Sequence, residues 1–600
     1  MILFIVRPAI QHNEYRQFFP NLVIMGLGWL TRWDVRYEMW FSFLLASLTS
    51  FNVYRLGRLT LDRDTANRRL AFLLSNLLIF SPAQYLNWLV GEQLVYFFPA
   101  ACVTTCLRIA YSKMSVPAKF ALCACLSAVS TFSAANGIVC WVVVFPALVW
   151  AGPQSISRGT RLRLALACAC GLALCAALYF YGYQSPPGHA PLTAVFERPL
   201  HAAAHSLSLL GSTLAGESDS VLVVAVGVGV ILFSLFAAHA LRLFRAGVDH
   251  ARTRRAVGWM MLGAYSILSA AAVTLGRSGL GVSQSSASRY TTFTLFLIVS
   301  VIHLVALPAG GAAGTGSARK LLPSRLVPAA VAVMLCLHAL ASFIAIQQMG
   351  LFRTRLLQAR ACHMFINTVP DTVCLERQVY PDVPVLRDWS NALAALGFWR
   401  PGLLRSNRVE EFAAFDASAS GDYGSFDILD REGESYRASG RASLPHRREP
   451  PDAVLLAYEI AGGGHVAFAR AELKNRGYIF VRFWDQGTRQ DPSWEKSFSA
   501  SELPTGAAGL TAWAFDAETG RAFNSKARAG SGGRNESTVE HGQHAPRGGG
   551  GHQRLFPRLQ RRRNHRGARP GRARSAPDAD RRLRGDRGQR REHGRDARYP

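Results

Sequence analysis

Residues 220–242 read SVLVVAVGVGVILFSLFAAHALR, and the first permanently charged side chain in the run is Arg242. About twenty apolar helical residues cross the ~30 Å hydrocarbon core of a bilayer. Working outward from this stretch, comparable runs lie at about 37–55, 69–82, 91–112, 118–132, 137–151, 163–182, 256–275, 290–308 and 326–347. After 350 they stop. Each run is expected to be helical, because lipid cannot satisfy a bare backbone. The sequence therefore predicts a polytopic α-helical membrane protein of about ten spans, with a soluble C-terminal part.

Basic loops alternate with less charged ones. Arg55, Arg58, Arg63, Arg68 and Arg69 follow the first run, and Lys113 and Lys119 follow the third. Further basic loops carry Arg158, Arg161 and Arg163, then Arg242, Arg245, Arg252, Arg254 and Arg255, then Arg319, Lys320 and Arg325. The positive-inside rule makes these loops cytoplasmic. Residues 1–36, the loops at 83–90, 133–136, 183–219 and 276–289, and everything after 348 then lie outside. MILFIV, followed by Arg7 and Pro8, is too short for the apolar part of a signal peptide. An outside start without a leader is awkward to insert, so the pattern predicts a further span upstream of Met1.

The net charge of +28 does not indicate a nucleic-acid partner. Residues 525–600 hold 21 Lys/Arg against 7 Asp/Glu, leaving +14 in the tail alone. Much of the remainder sits in the topology-setting loops. The tail has almost no aliphatic residues and is expected to be disordered. Its Arg, Gly, Pro, Ala and His bias also fits a GC-rich frame read out of register, which predicts a frameshift near 525.

Polar residues gather at the outer loops. His12, Asn13, Glu14 and Arg16 form one group; Gln84, Asn87, Trp88, Glu92 and Gln93 a second; Ser133 and Asn136 a third; Arg277, Gln284, Ser288, Arg289 and Tyr290 a fourth. Ionisable groups at membrane depth are costly and tend to serve a function. Bland roles stand beside the functional one. Trp88 and Tyr290 fit interfacial aromatics, Glu92 a paired acid, Asn136–Gly137 a tight turn, and Glu14 a partner of Arg16 or Arg32. Arg289 stands against the topological charge bias, and a guanidinium there suits a phosphate.

The order of four segments, HNEYRQFFPNL with LTRWDVRYEMW, FSPAQYLNWLVGEQLVYFF, STFSAANGIVCW and GRSGLGVSQSSASRYTTF, resembles a group of bacterial multi-pass proteins. These in turn resemble the GT-C glycosyltransferase superfamily. The resemblance covers about residues 10–350 and extends toward 524. It implies a polyprenyl-phosphate-linked sugar as donor, an acid in the first outer loop as base or metal ligand, and outer basic residues against the donor phosphate. On this chain it implies Glu14 as catalytic base with His12 beside it. Arg16, Glu92, Gln93, Asn136, Arg277, Arg289 and Tyr290 would line the substrate and phosphate site. The superfamily's key acid follows a first span that this chain does not contain, so activity could be lost by truncation. The residues imply no particular metal or cofactor. The implied location is the outer face of a bacterial inner membrane, and the implied product an envelope glycan or lipid. A polysaccharide polymerase or ligase, or a transporter or flippase without chemistry, is the alternative.

The expected domains are an outer-face or interfacial segment at 1–36, the transmembrane domain at 37–350, a helical extracytoplasmic linker at 351–421, a small β-sandwich at 422–524 and the tail at 525–600. The sandwich follows from short β-rich runs such as AVLLAYEI and YIFVRFW, separated by turn residues. Its Trp484, Trp494 and Trp513 fit core packing better than sugar stacking. Nine of the eleven cysteines lie in apolar runs and read as small hydrophobes. Cys362 and Cys374, twelve positions apart on the outer side, are expected to form a disulfide.

Overall fold

The computed structural model describes residues 11, 15–61, 66–152, 156–184, 193–245, 250–307, 325–370, 372–414, 423–445, 450–461, 463–473, 492–503, 507 and 509–527. His12, Asn13, Glu14, Trp484 and the predicted tail after 527 lie outside these residues. The N-terminal part is helical: α1 (Phe18–Thr31), α2 (Arg36–Thr60), α3 (Ala66–Ile79), α4 (Tyr85–Leu89), α5 (Phe97–Ala110), α6 (Val116–Thr131), α7 (Val139–Trp150) and α8 (Arg158–Phe180). Then come α9 (Ala194–Glu197), α10 (Pro199–Ala215), α11 (Leu222–Arg245), α12 (His250–Arg277), α13 (Thr291–Ala306) and α14 (Leu326–Met364).

All ten predicted runs are helical. Among the described residues six helical segments are long and apolar enough to cross a membrane: 91–110, 158–180, 222–245, 250–280, 288–306 and 326–364. The helices at 66–79, 116–131 and 135–150 are shorter, and α2, with 25 residues, is not among the six. Several surfaces of the bundle are apolar and exposed, as on α8, where Leu162, Leu166, Leu174 and Leu178 face outward. A water-soluble helix would present polar residues there. This pattern supports association with a membrane.

Two features differ from the sequence expectation. The region 183–219, read as a loop, contains α10, a helix of 17 residues that buries Leu209, Leu210 and Leu214. Ser, His and Gly interrupt its apolar pattern, and most of those polar groups, though not His205 Nε2, are satisfied internally. His205 Nδ1 pairs with Thr274 at 3.1 Å, Ser285 donates to Ser208 at 2.8 Å, and Thr213 pairs with Thr294 at 3.1 Å. The second difference is α14. The last apolar run and the start of the predicted linker form one continuous helix of 39 residues.

Helices α10 and α11 meet at two glycines. A Cβ on Gly211 would overlap the Ala225 carbonyl, and one on Gly229 would overlap the Leu207 carbonyl. Small residues let helix backbones approach this closely when lipid supplies no hydrophobic drive between helices.

After α14 the chain forms α15 (Val373–Gln378) and α16 (Val383–Ala395). Cys362 at the end of α14 is joined by a disulfide to Cys374 on α15, with Cα atoms 6.2 Å apart. Seven strands follow: β1 (Gly424–Glu432), β2 (Ser435–Ala442), β3 (Ala453–Glu459), β4 (His465–Leu473), β5 (Ser493–Ser499), β6 (Gly509–Asp516) and β7 (Arg521–Ala527). They do not split into the two facing sheets of a sandwich. They close in the order β1-β2-β5-β4-β3-β6-β7, with β1 and β7 pairing in parallel. Closure removes free edges. The last strand runs past 525, the position marked for a frameshift.

Strand β3 is buried on both faces, which explains its unbroken apolar run. Val454 and Leu456 point into the barrel with Phe468, Trp494 and Phe498. Leu455 and Ala457 pack outward against Met364, Phe365 and Phe412. The junction between α14 and the barrel is thus apolar.

Substituting Gly211→Ala is expected to force α10 and α11 apart at a cost of about 1–3 kcal/mol. Thermal unfolding in detergent should show a lowered midpoint, whereas Gly227→Ala on α11, where a Cβ meets open space, should leave it unchanged.

Candidate functional site

One end of the helical bundle gathers the polar segments 81–96, 132–138, 216–221 and 278–290. The chain enters this end through short 3₁₀ turns, not through regular helix. Such turns leave backbone groups to be satisfied by side chains, and the polar residues found here do that.

The 288–290 turn is held from two sides. Asn87 Nδ2 donates to the Arg289 carbonyl at 2.9 Å and to Thr292 Oγ1 at 2.6 Å. Thr292 donates to Gln84 Oε1 at 2.6 Å, and Gln84 Nε2 donates to the Ile79 carbonyl at 2.6 Å. From the other side Glu217 accepts the Ser288 N–H at 3.1 Å. Tyr85 lies beside Glu217, and burial together with that carboxylate pushes its hydroxyl well above the usual phenol range.

Arg289 lies over the ring of Tyr290, 5.1 Å from the centroid. Its Nε is buried and has no hydrogen-bond partner among the described residues, and the same holds for Tyr290 Oη, Ser288 Oγ and Gln93 Oε1. Tyr290 is only 2% exposed. Buried polar atoms are nearly always paired, so a run of three consecutive residues with orphaned atoms asks for a partner. Tyr15, Tyr96 and Arg277 lie close to Arg289. Tyr15 and Tyr96 hydroxyls are 3.3 Å apart. The result is two arginines, three tyrosines and a serine around one spot, a donor-rich set suited to an anion.

On the other side of the 91–96 turn lies Glu38, in the first turn of α2 and 4% exposed. Its carboxylate forms no hydrogen bond with a described residue and feels the charge of Glu92. It rests against Gly91 so closely that a Cβ on that residue would overlap it. The helix N-terminus offers the carboxylate a favourable partial charge.

The structure brings together Gln93, Arg277, Arg289 and Tyr290 from the sequence-predicted set, and sets Glu92 beside Glu38. It does not bring in the other two described members. Arg16 donates through Nε to the Tyr179 carbonyl at 2.6 Å and also reaches the Tyr181 carbonyl, closing the end of α8. Asn136 donates to Tyr265 Oη at 3.1 Å and Ser269 Oγ at 3.2 Å, tying the α6–α7 turn to α12. Its neighbour Gly137 packs against Ser130, whose hydroxyl donates to the Gly137 carbonyl at 2.9 Å. Asn136 therefore serves as a structural tie. Glu14 and His12 fall outside the described residues.

Sequence reading missed Glu38, Tyr15, Tyr96 and Glu217. Glu38 alone carried a signal, an acid three residues into an apolar helix. Among the described residues no group of three or more His, Cys, Asp or Glu converges as a metal site would. No family model, no curated protein and no solved structure matches the chain.

Gly91→Ala should displace the Glu38 carboxylate and with it the 91–96 turn. The expected result is a lower unfolding midpoint, restored in part by Glu38→Ala in the double variant; additive losses in the double-mutant cycle would show that the two residues do not interact.

Proposed function

We propose that this chain is a GT-C-like integral membrane glycosyltransferase that moves a sugar from a polyprenyl-phosphate donor to an envelope glycan or lipid at the outer face of a bacterial inner membrane. One observation supports the reading: half-buried Arg289, at the polar end of an apolar bundle, has a buried Nε with no partner among the described residues, beside Arg277 and the orphaned hydroxyls of Ser288 and Tyr290. An arginine whose backbone turn is held by Asn87 and Glu217, and whose Nε is left with an unsatisfied donor, is preorganised for an anionic ligand. A phosphate on a lipid tail enters such a place naturally, because its tail stays with the apolar helices and its charge meets the arginines.

In the proposed reaction an acceptor hydroxyl attacks the anomeric carbon and the carbon–oxygen bond to phosphate breaks. The bonding pair leaves with the lipid phosphate, whose growing charge Arg289 and Arg277 stabilise. The acceptor proton passes to a carboxylate. The resemblance of the sequence to the superfamily implies that role for Glu14, with His12 beside it. Glu38 is the buried carboxylate nearest the 91–96 turn among the described residues and is available for it.

Removing a preorganised charge partner typically costs about 3–4 kcal/mol at the transition state. Arg289→Ala should therefore lower the envelope glycan product by roughly 10²-fold at normal protein level, with Arg289→Lys recovering only part. Glycan profiling of a strain carrying the variant chain checks this, and an unchanged profile with normal expression sinks the proposal.

A further inference from the structure

Helix α1 has both of its ends at the polar end of the bundle. At its start Phe19 N–H donates to the Phe132 carbonyl at the end of α6, 3.3 Å away, and Arg16 reaches the carbonyls at the end of α8. At its finish the chain reverses through Arg32 and Trp33, both with positive φ, and enters α2 directly. Trp33 folds back so that its ring lies 3.3 Å from the Cβ position of Gly28. A helix of 14 residues is about 21 Å long, so α1 lies across the bundle end and does not cross the bundle.

The soluble domain meets this helix. Phe398, just after α16, places its ring 5.3 Å from Trp29 and 5.6 Å from Trp33. Around this contact Trp29 is 53% exposed, Leu30 82%, Trp40 64%, Trp389 58% and Leu396 55%. The exposed strip does not stop there. It continues down α2 through Phe43, Leu44 and Phe51, all exposed on the outer surface of the bundle. Arg32 and Arg36 flank it.

We infer that α1 and the 389–398 segment of the soluble domain form one membrane-interface platform, whose partner is the headgroup and upper acyl region of the bilayer around the bundle. Tryptophan has an apolar body and one polar N–H, and it concentrates at this depth. A helix lying flat with exposed Trp and Leu gains from burying them there, and of the flanking arginines Arg32 is placed to pair with phosphate, whereas Arg36 is held by Asp34 at 2.6 Å. The lipid assignment rests on continuity, since the same apolar strip runs from the platform down the flank of α2. The inference uses the reading of the bundle as membrane-embedded. It adds that the soluble domain touches the lipid itself and is not held by α14 alone.

The test uses the full chain reconstituted in vesicles of phosphatidylethanolamine and phosphatidylglycerol. The photo-crosslinking residue p-benzoylphenylalanine replaces Leu396, Trp389 or, as a reference on the flank of α8, Leu174. All three sites are exposed, so the substitutions are compatible with folding. After irradiation and proteolysis, mass spectrometry should find phospholipid adducts on all three peptides. Lipid adducts at Leu174 with none at Leu396 and Trp389 would overturn the platform and leave the membrane bundle standing. Protein adducts from a second copy at Leu396 would overturn it in favour of self-association. No lipid adduct at any site would overturn the platform together with the membrane reading.

Discussion

The amide of Asn87 does two jobs with one group. It donates to the carbonyl of Arg289 and to the hydroxyl of Thr292, at the start of α13. Thr292 passes the constraint to Gln84, and Gln84 returns it to the end of α3. Asn87, Gln84 and Thr292 are all buried, so water does not compete for these bonds and each broken link would leave a desolvated polar group. The network fixes where Arg289 begins, and the position of its guanidinium follows. An arginine on a mobile loop would pay side-chain entropy at each binding event. This one has its backbone fixed in advance.

That network also explains why the polar end is built from short 3₁₀ turns. A continuous helix would consume its own carbonyls, and Asn87 would have nothing to accept its protons. By ending α3 near Ser81 and restarting at Thr291, the chain frees backbone groups for side chains to hold. Glu217 uses the same opportunity from the loop after α10, taking the Ser288 N–H. The helix α10 is thus part of the scaffold. Its polar contacts to Thr274, Ser285 and Thr294 bring Glu217 to the turn it supports.

What the sequence made legible follows from what periodicity measures. Runs of apolar residues located all ten predicted helices, because apolar length is written locally. Helix α10 escaped because its face is lined by His205, Ser208 and Thr213, whose partners lie about 70 to 80 positions away and are invisible to a sliding window. The β-region was legible as strands but not as a barrel. Alternation on β2 and unbroken burial on β3 report how many faces are covered, and neither reports that β1 finds β7. At the site, Arg289 stood out by sign alone, as a cation where topology disfavours one. Arg16 and Asn136 stood out by type in the same way, yet their polar atoms are spent on carbonyls and hydroxyls of neighbouring helices. Residue type identifies groups able to bind a ligand. Only the fold decides which of them have atoms left over.

The leftover atoms also bear on the C-terminal domain. Helix α14 carries Phe352 against Tyr85, which lies beside Glu217. One residue further along, Arg353 pairs with Glu518 of the barrel at 2.8 Å. The helix then continues to Met364, buried in the apolar junction with β3 and β6. A single continuous helix therefore touches the network that places Arg289 and the barrel that stands beside it. The surface pair with Glu518 adds little energy by itself, because both side chains are half-exposed. The apolar junction and the Cys362–Cys374 bridge are stronger constraints, since they fix the end of α14 against two separate elements. Phe398, in the segment between α16 and β1, sets that segment against Trp29 and Trp33 as well, so the C-terminal part meets the helical part at a second place besides α14. Two contacts restrict the swinging freedom that one helix alone would leave.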